Sequence, residues 1–234
     1  MNEQQDFSYI RRNLESIRAR ADAAAAASPY GQPYELLLAT KYATADEINY
    51  AHALGVNNIG ENRVQSLLEK YDALHRDGLD IHFIGSLQKN KVKYIIDKVS
   101  MIESLDSLPL AEEIERQAAK QDKVMDCLIE VNIGREAQKG GIMPEDAVDF
   151  AEKVARFPHI RLCGIMTMAP KCTSNDEYRK YFRESYHIFI DICEKKLHNV
   201  DRTILSMGMS GSFEAALAEG ANLIRVGRAA FEKE

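Results

Sequence analysis

The sequence predicts an α/β fold, a single (β/α)8 barrel of the TIM type with an extra N-terminal helix, and three observations support it. Eight short apolar segments alternate with segments of helical character, and such βα alternation is typical of a parallel sheet. The strand-like segments are apolar throughout, as in strands that are covered on both faces. The length of 234 residues lies in the usual range for a barrel of this type.

A doubly wound open sheet is the competing fold. Its dinucleotide-binding form carries a GxGxxG turn after the first strand, and no such turn follows the first strand-like segment. The sequence has no Pro/Gly/Ser-rich linker and no obvious internal repeat. We therefore expect residues 1–234 to form one barrel domain.

The first element is an amphipathic helix, predicted over residues 1–28. Its apolar positions recur at spacings of four, three and four, and they are Ile10, Leu14, Ile17 and Ala21. Pro29 marks its end. Only a few residues follow the last strand-like segment, too few for a full eighth helix, so we expect this first helix to cover part of the gap.

The strands and the helices between them follow in order. The predicted strands are residues 35–40, 57–62, 80–85, 100–105, 126–133, 160–168, 203–208 and 222–227. Helix starts are marked by capping-box spacings or by a proline at a favoured position: Thr44 with Glu47, Ser174 with Glu177, and Pro144. The other predicted helices are Val64 to Tyr71, the segment that carries Val92, Ile95 and Ile96, residues 109–120 and residues 212–220.

Composition and charge narrow the class of protein. The net charge of -6 argues against a protein that coats nucleic acid or anionic membrane. The longest alanine run, residues 23–27, is too short to span a bilayer, and the N-terminus lacks the pattern of a signal peptide. Cysteines show no CxxC spacing, and histidines and carboxylates do not cluster at metal-ligand spacing. We expect a cytoplasmic protein without a metal.

The residues that close the predicted strands lie where the active site of a barrel is expected, and many of them are polar. They are Lys41, Glu61, Asn62, Gly85, Ser86, Asn132, Thr167, Met168, residues 208–210 and residues 225–228. The stretches after strands seven and eight fall at the usual phosphate-binding corner of such barrels.

This corner combines backbone N–H groups with positive charge. The segment GMSGSFEAAL places Ser210 at a helix start, where free N–H groups favour an anion. The segment LIRVGR adds Arg225, Gly227 and Arg228, which supply charge and allow close backbone approach. The structural alternative for the first segment is an ordinary helix N-cap, and for the second it is an arginine that pairs with a carboxylate. Together the two segments favour a phosphate site.

Lys41 ends the first strand beside this corner, because strands one and eight are neighbours in a barrel. A lysine in a partly desolvated site loses affinity for its proton, and a neutral amine can form a Schiff base with an aldehyde. The alternative is a lysine whose ammonium reaches solvent past the rim. An aldolase-type barrel that uses Lys41 on a phosphorylated sugar is a further hypothesis.

Eight motifs run through the chain from Leu36 to Phe231: ATK, GEN, HFIGSLQKNK, VN, KGGI, GIMTMAP, LSMGMSGSFEAALAEG and IRVGRAAF. In this order they resemble the YggS/PROSC family of pyridoxal-phosphate homeostasis proteins. The resemblance implies the barrel of alanine racemase (fold type III) without that enzyme's second, β-rich domain. It also implies pyridoxal 5′-phosphate as the cofactor and apo pyridoxal-phosphate enzymes as partners.

The resemblance also implies roles for individual residues. Lys41 would carry the cofactor as an internal aldimine. The other implied contacts are Ser210, Gly227 and Arg228 at the phosphate, the last two mainly through main-chain N–H groups, Arg225 at the pyridine nitrogen, and Asn62 beside the ring. The chain departs from the family pattern at Thr40, where serine is usual, in lacking a proline soon after Lys41, and at Arg228, where a small hydroxylated residue is frequent.

An arginine at the pyridine nitrogen bears on activity. Most pyridoxal-phosphate enzymes keep that nitrogen protonated with an acid, and arginine cannot accept the proton. In alanine racemase a second base comes from the other domain of a partner subunit, for which this chain has no room. We therefore expect a monomeric carrier or buffer of the cofactor with no catalytic residues. A pyridoxal-phosphate racemase or lyase with Lys41 as its sole base is the alternative.

Three further features are interpreted structurally. His82 lies in an apolar strand and is expected to be a hydrogen-bonded core residue rather than a proton donor. The basic segment 88–93 is expected to be a solvated face, with a partner contact as the alternative. The aromatic positions within residues 178–189 form a core-facing stripe without the signature of nucleic-acid binding.

Overall fold

Eight parallel strands close into a barrel in the computed structural model, which describes residues 6–195 and 204–233. The strands are β1 Glu35–Ala39, β2 Asn58–Glu61, β3 Asp80–Phe83, β4 Met101–Leu105, β5 Met125–Val131, β6 Ile160–Thr167, β7 Ile204–Ser206 and β8 Leu223–Val226. They pair in chain order, and β8 closes on β1 with Leu37 opposite Arg225. The predicted barrel is confirmed, and the open-sheet alternative is wrong.

Helices follow the strands. They are α1 Ser8–Ala26, α2 Ala45–Ala53, α3 Val64–Tyr71, α4 Leu108–Lys120, α5 Ala147–Val154, α6 Asn175–Glu194, α7 Phe213–Ala218 and α8 Arg228–Phe231. The predicted capping box of α2 is present, because the Thr44 hydroxyl accepts from Glu47 N at 3.3 Å and Thr44 N donates to Glu47 Oε2 at 2.8 Å. At α6 the Ser174 hydroxyl accepts from Glu177 N at 3.3 Å.

Two sequence predictions about helices need correction. The segment with Val92, Ile95 and Ile96 forms a 3-10 helix over Lys89–Tyr94 instead of an α-helix. Val92 lies in this helix and Ile95 and Ile96 follow it, and all three are buried by its two short turns and the residues after them. The segment begun by Pro144 likewise opens with a 3-10 turn, Pro144–Asp146, before α5.

Helix α1 covers the gap at the end of the barrel, as predicted. Helix α8 is a single turn, and Asn13 of α1 donates to the carbonyl oxygens of Ala230 at 3.3 Å and Glu232 at 2.9 Å. Arg20 of α1 pairs with Glu214 of α7 at 2.7 Å. The helix ends at Ala26, and residues 1–5 of the prediction lie outside the described residues, as does residue 203 of the predicted seventh strand.

The apolar core has an outer part and an inner part. The outer part lies between strands and helices. Phe182 and Phe189 of α6 are buried in it and Tyr178 and Tyr186 pack against it, which confirms the predicted stripe. The inner part consists of small clusters within the barrel, around Leu37 and around Leu128. Over the described ranges, no helix combines the length and the apolar character that a membrane crossing needs.

The barrel interior is also polar. Five buried side chains contribute to this: His82, Glu103, Glu130, Ser206 and Arg225. Burying charged groups is unfavourable unless they are paired or hydrogen-bonded, so their contacts matter for the site at the carboxyl ends of the strands.

Candidate functional site

Lys41 lies at the barrel mouth, two residues after the end of β1. Its side chain is exposed, and its Nζ atom lies 4.7 Å from the centroid of the Tyr42 ring. The preceding residue, Thr40, is fully buried. The amine is therefore accessible from solvent while the backbone that carries it is fixed in the core.

A buried ion pair holds the backbone next to Lys41. Lys70 Nζ of α3 donates to the carbonyl oxygen of Thr40 at 2.8 Å and to Glu61 Oε1 at 2.6 Å. The Thr40 hydroxyl donates to the same Glu61 oxygen at 2.7 Å. The pair links the end of β1 to β2 and α3. Sequence reasoning noticed Glu61 in the GEN motif but missed Lys70, which carries no local signal.

At the predicted phosphate corner, the loops after β7 and β8 lie against each other. Ser210 Oγ accepts from the main-chain N–H groups of Gly227 at 3.3 Å and Ala229 at 3.5 Å. A Cβ atom at Gly227 would lie 3.1 Å from the carbonyl oxygen of Ala39, so glycine permits this close approach to the end of β1. A hydroxyl and two N–H groups thus lie beside Lys41's strand. The Arg228 side chain is exposed, and among the described residues it makes no hydrogen bond or ion pair.

Arg225 lies inside the barrel rather than at its rim. Its Nη1 donates to Ser206 Oγ at 2.6 Å, and its Nη2 donates to the carbonyl oxygen of Thr167 at 2.8 Å. Burial lowers the pKa of Arg225, and the carboxylates of Glu103 and Glu130 oppose this effect. The guanidinium is held on several sides, so its position is well defined.

Asn62 has an unsatisfied buried atom. Its Oδ1 is buried and has no hydrogen-bond partner. A Cβ atom at Gly85 would lie 2.1 Å from the carbonyl oxygen of Asn62, which explains the glycine of the HFIG segment. Buried polar atoms in native proteins are normally hydrogen-bonded, so the Asn62 Oδ1 atom is available to accept a hydrogen bond.

His82 makes a buried hydrogen bond, as the structural reading predicted. Its Nδ1 lies 2.7 Å from Glu103 Oε1. Burial acts to raise the pKa of Glu103, but the hydrogen bond from His82 and the charges of His82 and Arg225 hold it below its ordinary value. Sequence reasoning missed Glu103 as a site residue because it lies within a strand rather than at its end.

Glu130 is a second buried carboxyl that sequence reasoning missed. Burial and the neighbouring charge of Asp106 raise its pKa to about 7, and Arg225 opposes the rise. The next polar residue, Asn132, is occupied by its own loop, since its Nδ2 donates to the carbonyl oxygen of Glu136 at 3.0 Å.

One cavity lies near these residues and another lies at the far end of the barrel. A groove of about 560 Å³ beside Asn62 is lined by Arg63, Gln65, Ser86, Gln88, Lys91 and Tyr94, so segment 88–93 borders the site. A cavity of about 820 Å³ lies at the opposite end of the barrel and includes Glu35, Asn58, Asp80 and Asn222. The predicted cofactor-binding residues do not line this second cavity. Within residues 6–195 and 204–233, no three His, Cys, Asp or Glu side chains are arranged to hold a metal ion.

Comparisons with known proteins show which families and structures the chain resembles. Residues 6–233 match the family model described as "Alanine racemase, N-terminal domain". A pyridoxal phosphate homeostasis protein of Aquifex aeolicus is 42% identical over 197 residues, which is 84% of this chain and 86% of that protein. The structure of an unknown protein from Bifidobacterium adolescentis superposes with a TM-score of 0.88 at 34% identity and covers 98% of both chains.

A third match contains a ligand. PipY of Synechococcus elongatus, in a structure with PLP bound, superposes with a TM-score of 0.82 at 27% identity. The superposition covers 95% of this chain and 100% of that chain. The similarity therefore extends over nearly the whole barrel.

Proposed function

This chain belongs to the family of pyridoxal phosphate homeostasis proteins, and from that premise we propose that it holds pyridoxal 5′-phosphate on Lys41 and supplies or buffers this cofactor. The family resemblance predicted from the sequence motifs is confirmed. The observation that carries the proposal is that Lys41 and the Ser210–Gly227 corner lie at one barrel mouth, with Arg225 buried beneath it.

The residues present fit the groups of this cofactor. Bound pyridoxal 5′-phosphate supplies an aldehyde whose carbon accepts an amine. Lys41 would hold this aldehyde through its amine, which is the group that supplies Schiff-base chemistry. The Ser210 hydroxyl and the N–H groups of Gly227 and Ala229, which hydrogen-bond to one another here, would bind a phosphate in its place.

The ring end of the site is supported by two further residues. Arg225 would face the ring nitrogen, and its fixed guanidinium would orient the ring. Asn62 Oδ1, which is buried without a partner, would gain one beside the ring. Arg228 would contribute through its main chain, since its side chain is exposed.

The chemistry of Arg225 favours a carrier over an enzyme. A permanently protonated guanidinium leaves the ring nitrogen without a proton source, so the ring withdraws electrons weakly. We propose that the chain has no catalytic residues, that residues 1–234 act as one monomeric domain, and that apo forms of pyridoxal-phosphate enzymes receive the cofactor.

An amino-acid racemase or lyase is the second candidate, and one observation favours it. Glu130 is buried inside the barrel and has a pKa of about 7, which suits a group that exchanges a proton near neutral pH. Turnover separates the two candidates.

The test uses the full-length protein, the Lys41→Ala variant and the control Lys153→Ala, whose lysine is exposed on α5. Wild type and the control should develop a visible band with pyridoxal 5′-phosphate that borohydride abolishes, and Lys41→Ala should not. Loaded protein should restore activity to an apo pyridoxal-phosphate enzyme without racemising amino acids. A colourless wild type would overturn cofactor binding, and racemisation that depends on Lys41 would overturn the carrier role.

A further inference from the structure

A hydrogen-bonded chain of buried side chains crosses the barrel and ends at Arg225. Arg225 Nη1 donates to Ser206 Oγ at 2.6 Å, and the Ser206 hydroxyl donates to Glu103 Oε2 at 2.6 Å. Glu103 Oε1 accepts from His82 Nδ1 at 2.7 Å. All four side chains are more than nine-tenths buried. Each belongs to a different strand, so the chain spans the interior from β3 and β4 to β7 and β8.

The hydrogen-bonded series of side chains balances the positive charge of the buried Arg225 guanidinium. Glu103 is fully buried, and its pKa is held below its ordinary value despite burial, so it is ionised at neutral pH. Glu130 is the other carboxyl that acts on Arg225, but its pKa of about 7 means that it is only partly ionised there. Glu103 is therefore the principal negative charge opposite Arg225.

Solvent can approach the other end of the chain. His82 borders the cavity of about 820 Å³ at the amino ends of the strands, while Arg225 lies toward the cofactor mouth. His82 fixes one Glu103 oxygen and Ser206 fixes the other, so the carboxylate cannot turn away from the arginine.

We propose that Glu103 is a positioning residue for the cofactor ring: through Ser206 it holds the Arg225 guanidinium in place and sets the positive field at the ring nitrogen. This inference rests on the proposed function. In this proposal Glu103 does not contact the cofactor. Its effect is transmitted by the orientation of Arg225 and by the negative charge that Glu103 places opposite the guanidinium.

The proposal predicts how the bound cofactor responds to pH. The Glu103→Gln change keeps the shape of the side chain, removes the charge that offsets Arg225 and replaces one of its two acceptor oxygens with an NH2 donor. The stronger positive field should disfavour the proton on the Schiff-base nitrogen. The visible band should then titrate at a pH about one unit lower than in wild type. The charged and titratable groups that act on Glu103 are His82 from β3 and Arg225 from β8. Glu130 from β5 also acts on Arg225, and Asp106, after β4, acts on Glu130.

The experiment records the visible band against pH for loaded wild type, Glu103→Gln and Ser206→Ala. Ser206→Ala removes the bridging hydroxyl without changing charge, and it tests the proposal by itself if Glu103→Gln does not fold. The matched control is Glu115→Gln, because Glu115 Oε1 lies 2.7 Å from His159 Nδ1 in a similar pair outside the barrel interior.

The outcomes are separable. A lower titration midpoint in Glu103→Gln, or a midpoint displaced from that of wild type in Ser206→Ala, supports the proposal when the control keeps the wild-type midpoint. Folded variants that lose thermal stability but keep the wild-type midpoint overturn it, since Glu103 would then be only structural. A wild type that never develops a borohydride-sensitive band overturns the proposed function, and this inference with it.

Discussion

The ammonium of Lys70 donates to the carbonyl oxygen of Thr40 at 2.8 Å, one residue before Lys41. The same ammonium pairs with Glu61 at 2.6 Å, and Glu61 is almost completely buried. The backbone next to Lys41 is thus fixed by an ion pair between β2 and α3. This contact gives Glu61 of the GEN motif a structural role behind the cofactor site.

The Lys70→Met change should weaken both folding and cofactor binding. It leaves the buried Glu61 carboxylate without its cation, so we expect the free energy of unfolding to fall by about 3 kcal/mol. The freed end of β1 should also raise the Kd for pyridoxal 5′-phosphate roughly tenfold, or about 1.4 kcal/mol. Urea unfolding and absorbance titration measure the two effects.

A control and a second variant sharpen this prediction. Lys153→Met removes a lysine of an exposed pair with Asp149 and should change neither quantity measurably. Adding Glu61→Gln to Lys70→Met should restore part of the stability, because no buried carboxylate would remain unpaired. Equal effects of Lys70→Met and Lys153→Met would contradict the proposed role of the pair.

The Ser210→Ala change should act only through the phosphate. The hydroxyl lies against the N–H groups of Gly227 and Ala229, where the phosphate is proposed to bind. Losing one hydrogen bond to a charged group should weaken pyridoxal 5′-phosphate binding about tenfold. Binding of pyridoxal, which lacks the phosphate, should change little. If both ligands lose affinity equally, Ser210 does not contact the phosphate.

Glu130 should make stability depend on pH in a defined direction. Burial raises its pKa from an ordinary value of 4.5 to about 7. Between these values the folded chain binds more protons than the unfolded chain, so the free energy of unfolding falls as pH rises, by up to about 3 kcal/mol. Below about pH 4.5 this contribution is complete, and above about pH 7 it no longer changes.

The Glu130→Gln variant isolates this contribution. In urea titrations, wild type should lose unfolding free energy relative to Glu130→Gln as pH rises from about 5 to about 7.5. Glu152→Gln, which changes an exposed carboxylate paired with Lys195, serves as the control and should show no such shift. A pH-independent difference for Glu130→Gln would mean that Glu130 titrates like an exposed glutamate.

Sequence patterns predicted the barrel because its determinants are local. Continuous apolar strands, capping boxes and the position of polar residues after strands can each be read from a few neighbouring residues. The order of the barrel brings the ends of β1 and β8 together, which is why Lys41 was expected beside the corner that contains Gly227.

The interior network could not be predicted in the same way. His82, Glu103, Ser206 and Arg225 come from four strands, and their contacts depend on which strands face one another across the closed barrel. Lys70 gave no local signal for the same reason. The 3-10 segment Lys89–Tyr94 was predicted as an α-helix because three apolar residues fit either geometry.

The central claim is that the amine of Lys41 binds the cofactor covalently, and peptide mapping tests it most directly. Protein loaded with pyridoxal 5′-phosphate is reduced with borohydride, digested and analysed by mass spectrometry. We expect one reduced pyridoxyl phosphate group on the peptide that contains Lys41 and none on Lys70, whose ammonium is engaged with Glu61. Modification spread over surface lysines, or confined to a lysine other than Lys41, would contradict the account.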